Sequence, residues 1–182
     1  MKDLHSPTKI IDLNIPEIGK SSLIWTIVLS ISLLLITSFV HQDFSYDLSW
    51  LGLFLFIVGY VILIVLHEAT HLVGFVLFGK VPWRSLDYGF NMNLGVAYAT
   101  TSEPIQNKAM KRVLVLPFWL TGVLPAVIAI SINSPLLALL GAWLMAGAVG
   151  DFAMIKELRH VNDKAWIKDD PELPKLYIYE QQ

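Results

Sequence analysis

Residues 50–78 read WLGLFLFIVGYVILIVLHEATHLVGFVLF, 29 residues with one glutamate set between two histidines and no lysine, arginine or aspartate. About 20 apolar residues suffice for a helix to cross a hydrocarbon core, so this stretch must tilt, bend or protrude. His67, Glu68 and His71 therefore form an ionisable cluster at bilayer depth. Such a cluster is costly unless something compensates it, and a metal ion would do so.

Three more apolar segments flank it, Leu23–Val40, Val113–Ile132 and Pro135–Ile155, each with the length of a membrane span. The whole chain fits this reading. Of 182 residues 55% are hydrophobic and 15% charged, and the mean hydropathy is +0.59, far above that of an ordinary soluble domain. The first segment is too long for a signal peptide and lacks a small-residue cleavage pattern, which leaves a retained helix. A net charge of −2 and a pI near 6.2 give no basic surface for nucleic acid. The chain has no cysteine, so any metal must be held by nitrogen and oxygen.

The 13 basic residues set an orientation. Lys2, Lys9 and Lys20 precede the first segment. Lys80, Arg84, Lys108, Lys111 and Arg112 lie between the second and third, and Lys156, Arg159, Lys164, Lys168 and Lys175 follow the fourth. The two remaining loops carry none. By the positive-inside rule both termini and the central loop face the cytoplasm. In that central loop Leu86, Tyr88, Phe90, Met92 and Leu94 share one parity, Gly95 breaks the pattern, and Val96 and Tyr98 resume it. This predicts a membrane-associated β-hairpin over about 85–101, which either links two helices along the membrane surface or offers an edge to an extended peptide. Pro117 and Pro125 predict kinks in the third helix. The tail, 156–182, is polar, with one short strand in PELPKLYIYE. The expected architecture is one all-α integral membrane domain over 1–182, with spans at about 23–40, 50–78, 113–132 and 135–155 and the hairpin between the second and third.

His67, Glu68 and His71 form H-E-x-x-H. Residues four apart share a helix face, so both imidazoles can address one ion, while Glu68 reaches a water beside it without being a ligand. A buried polar contact between helices is the plain alternative, but such contacts normally use Ser, Thr, Asn or Gln at lower cost. Catalytic zinc usually takes three protein ligands. Asp151 is the only other acidic residue within the apolar segments. His71 lies about 10 Å inside Phe78 and Asp151 about 8 Å inside Lys156 by helix rise, so both sit at similar depth below one interface. Gly147 and Gly150 predict a close approach of the fourth helix to the second. His5, Glu157, His160 and Asp163 lie beyond the membrane edge and His41 on its other side. Asn91, Asn93 and Asn133 read as turn residues that could orient a substrate.

H-E-x-x-H on one span, a hairpin after it and an aspartate on a later span resemble the core of the site-2 protease class of intramembrane metalloproteases. More closely, HEATH, a proline-bearing third helix and Gly-Asp on the fourth are similar to a bacterial family of small zincin peptidases, across Trp50 to Lys156. The site-2 class usually sets its aspartate in Asn-Pro-Asp-Gly or Leu-Asp-Gly, whereas Phe152 follows Asp151 here. The resemblance implies one Zn2+ per chain, His67, His71 and Asp151 as ligands, Glu68 as general base, and hydrolysis of a peptide or membrane-protein substrate in a bacterial cell membrane. The competing expectations are a metal-binding regulator or partner subunit without hydrolysis, and an ion-path component of a transporter. The oligomeric state is left open.

Overall fold

The computed structural model describes residues 6–46, 49–92, 95–170 and 175–180. His5, Asn93 and Leu94 lie outside them. Among the described residues four helical runs are long and apolar enough to cross a membrane, Ile15–His41, Trp50–Gly79, Asn107–Ile132 and Pro135–Leu158. Each is longer than its apolar segment, because polar turns extend a helix beyond the part that meets lipid. Helix α1 (Ile15–His41) starts where the Asn14 side chain accepts the Glu17 backbone N–H at 3.3 Å, with Pro16 and Glu17 in the first turn.

The other three runs are not uniform. Helix α2 (Trp50–Gly74) continues as a π-helical turn, Phe75–Gly79, which Lys80 ends in the left-handed conformation at φ 56°. The third run is α3 (Asn107–Pro117), a π-helical turn (Phe118–Val123) and α4 (Leu124–Ile132), so the interruption falls at Pro117. The fourth is α5 (Pro135–Gly147), a break at Ala148, and α6 (Val149–Leu158).

The chain divides into two compact units. One comprises Gly19–His67 and Pro117–Val149. Its core is made of Leu33 and the small residues Ala126, Ala129, Ala138 and Ala142. A Cβ on Gly141 would meet the Ala126 backbone nitrogen at 2.9 Å, so α4 and α5 pack backbone to backbone, as helices do where lipid supplies no hydrophobic drive. From Trp50 to Leu66 no residue of α2 is buried, although nearly all are apolar. Such a surface suits hydrocarbon rather than water.

The other unit comprises Met1–Ile18, Glu68–Leu116 and Gly150–Gln182. Strands β2 (Leu86–Asn91) and β3 (Val96–Thr101) form the expected hairpin, with Leu86 opposite Thr101 and Asn91 opposite Val96. A second sheet was not expected. Strands β1 (Lys9–Asp12), β4 (Ile105–Gln106), β5 (Trp166–Asp169) and β6 (Lys175–Tyr179) form a four-stranded antiparallel sheet in the order β1-β6-β5-β4. The tail is thus no appendage with one strand. It supplies two strands whose Ile167, Leu176 and Ile178 join Ile11, Ile105, Phe75, Met110, Val113 and Leu158 in one core. The all-α expectation missed this sheet because strands of two to five residues show too little alternation to read, and their partners are distant in sequence.

The glycine expectation also changes. A Cβ on Gly147 would meet nothing within 4 Å, and one on Gly150 only Ile18 at 3.9 Å. Within this unit the close approaches are Gly74 against Val113, Gly79 against Ile105 and Gly89 against the Tyr98 ring across the hairpin.

Candidate metal centre

Burial along α2 begins at His67 and recurs at His71, Gly74 and Phe75, spacings of four, three and one that trace one helix face. His67 is 8% exposed and His71 6%. Glu68, the next residue after His67, is partly buried. Asp151 lies in the first turn of α6, just beyond the break at Ala148. Its Oδ1 is 3.4 Å from His71 Nε2. The donor atoms of His67, His71 and Asp151 all lie within 4.8 Å of one another.

Each imidazole is held by its other nitrogen. His71 Nδ1 is 3.2 Å from the Val113 carbonyl oxygen, which can only accept, so Nδ1 carries the proton. His67 Nδ1 is 3.2 Å from Thr121 Oγ1. That hydroxyl lies 2.8 Å from the Pro117 carbonyl, a contact that needs the hydroxyl proton between the two oxygens. Thr121 therefore accepts from His67 Nδ1–H. With Nδ1 engaged in each ring, Nε2 is the nitrogen left to meet a metal ion, the arrangement that ligand histidines normally show. Two nitrogens and a carboxylate oxygen are a donor set that suits zinc.

The other candidates are engaged elsewhere. Glu157 pairs with Lys9 at 3.8 Å and Asp163 with Lys111 at 2.6 Å. His160 accepts from Arg159 Nε at 2.9 Å. His41 Nε2 is 2.6 Å from the Ile130 carbonyl, and the Asn133 amide donates to Asp43. Asn91 ends β2, opposite Val96.

Sequence reasoning passed over Thr121, Val113 and Asp169. A threonine and a carbonyl carry no motif, although the four-residue spacing from Val113 to Pro117 was there to be read. Asp169, partly buried at the end of β5, has its carboxyl pushed up to about 7 by burial, against the pull of the Thr100 hydroxyl, the Asp170 backbone and His71.

A family model described as "putative zincin peptidase" matches residues 60–166, more than half of the chain. The chain belongs to that family. The matched stretch runs from α2 to the first residue of β5 and contains His67, Glu68, His71 and Asp151. Family membership points to zinc-dependent peptide hydrolysis. No curated protein and no solved structure matches the chain.

Proposed function

We propose that this zincin peptidase is a membrane-embedded zinc metalloprotease. In this reading His67, His71 and Asp151 hold one Zn2+ and Glu68 is the general base. The observation that carries it is the convergence of three donors within 4.8 Å, two of them histidines whose Nδ1 atoms are already committed. Zinc, when bound, acts as a Lewis acid that lets water attack a peptide carbonyl near neutral pH. The Glu68 carboxylate takes the proton from the attacking water and returns it to the departing amine nitrogen. Asp151, as the third ligand, neutralises charge where the surroundings are apolar.

Both termini and the hairpin face the cytoplasm in this proposal. The Lys and Arg distribution supports the cytoplasmic side, and the sheet supports a common side for its strands, since β1 precedes the first span, β4 the third, and β5 and β6 follow the fourth. The substrate is a peptide or membrane protein that adds a strand to the β2–β3 hairpin, which pairs with no third strand among the described residues. The whole chain works as one catalytic domain, related in mechanism to the site-2 proteases and set in a bacterial cell membrane.

The test is the zinc content of the detergent-purified chain beside His67→Ala, Asp151→Ala and Glu68→Gln. About one zinc per chain is expected in wild type and Glu68→Gln, with strong loss in the other two. Full retention in both ligand variants would overturn the assignment. A regulator without hydrolysis would bind zinc in the same way, and no peptide would be cleaved in a Glu68-dependent manner.

A further inference from the structure

Resting on that zinc reading, we infer that Pro117 is a positioning residue whose backbone sets both ligand histidines, His71 through the Val113 carbonyl and His67 through Thr121. In an α-helix the carbonyl of residue 113 would accept from the N–H of residue 117. Proline has no N–H, and its ring displaces that carbonyl. A carbonyl released in this way inside a membrane helix must find another donor. His71 Nδ1–H supplies it at 3.2 Å. The approach is close because α2 presents Gly74, three residues after His71, where a Cβ would lie 3.3 Å from the Val113 Cα.

The same proline acts through its own carbonyl. Its oxygen takes the Thr121 hydroxyl proton at 2.8 Å, which turns the Thr121 lone pairs toward His67 Nδ1–H. Thr121 falls within the π-helical turn that begins directly after Pro117, and both residues are almost wholly buried. Such turns tend to occur at functional sites. One residue thus contributes a missing donor to one imidazole and an acceptor to the chain that ends on the other. Both rings are left with Nε2 facing the metal position.

Pro117→Ala restores an N–H that competes for the Val113 carbonyl. In the metal-free full-length chain in detergent micelles, 15N-histidine spectra of wild type are expected to show both rings protonated at Nδ1, and Pro117→Ala to lose that state at His71. Zn2+ retention against a chelator should fall about 10–100-fold, the usual effect of losing a ligand's outer partner. Thr121→Val should weaken retention through His67, Thr121→Ser should restore it, and Pro125→Ala, the same kind of change further along the run, should leave it unaltered. The threonine pair keeps the test decisive where Pro117→Ala misfolds. Unchanged Nδ1 protonation in Pro117→Ala, or equal zinc retention in Thr121→Val and Thr121→Ser, would overturn the inference even where wild type binds zinc. Loss of Nδ1 protonation in Pro117→Ala supports it even in a chain that binds no zinc, and then only the metalloprotease reading falls.

Discussion

Glu68 and Asp169 are two carboxylates with opposite demands. As the proposed general base Glu68 must stay ionised to accept a proton, and Glu68→Gln keeps the shape of the side chain while removing that capacity. Its cleavage rate is expected to fall about 10²–10⁴-fold, the range of general-base catalysis, with zinc content unchanged. A peptide-cleavage assay on matched zinc-loaded samples checks this, and a rate within a few-fold of wild type would remove Glu68 from the mechanism. Asp169 is instead held protonated up to about 7, against an ordinary 3.8, chiefly by burial. Between those values the folded chain binds a proton that the unfolded chain has released, so stability falls as pH rises through that window. Asp169→Asn removes the penalty. Its thermal midpoint in detergent should exceed wild type at pH 8 and converge with it near pH 4, and an equal difference at both would refute the linkage.

Two positions decide how the elements meet. Asn107 opens α3, is completely buried, and donates its amide to the carbonyls of Leu158, Val161 and Asn162, the loose end of α6. Asn107→Ala strands those acceptors and is expected to cost about 1–3 kcal/mol. Gly141→Ala drives a methyl into the α4 backbone and should cost a similar amount, about 1–3 kcal/mol. Gly147→Ala meets nothing and should be neutral or slightly stabilising. Thermal unfolding of the three variants ranks them. Equal effects at Gly141 and Gly147 would contradict the packing described for α5.

What the sequence could reveal at this scale follows from range. The spans were legible because hydropathy is a local property, and the hairpin because β2 and β3 alternate across a short connection. His67 and His71 were legible by helical period, and Asp151 because an acid inside an apolar span is rare. The sheet was not legible, since Ile11 finds Leu176 only through the fold. Thr121 and Val113 were hidden for a related reason. Their role depends on which helix face meets α2, and that is settled by small residues such as Gly74 rather than by any motif.

For the whole molecule, orientation is the open quantity with a direct measurement. The chain has no cysteine of its own, so single cysteines report cleanly. In intact cells a membrane-impermeant maleimide should label Ser45→Cys, between the first two spans. It should reach Lys80→Cys and Lys168→Cys only after permeabilisation. The reverse pattern would invert the proposed topology and move the candidate metal centre to the outer half of the membrane.

The pairing of β1 with β6 also imposes an order of assembly. Lys9 lies opposite Ile178, so β1 leaves the ribosome long before its partner exists. At about 5–20 residues per second the wait is roughly ten to thirty seconds. During it, all four spans are synthesised and can enter the bilayer. The core that includes Ile11, Val113 and Leu176 can close only afterwards. Since Val113 accepts from His71, the candidate metal centre gains its full packing only once β6 has been made, and a nascent chain stalled before β6 would be inserted but unfinished.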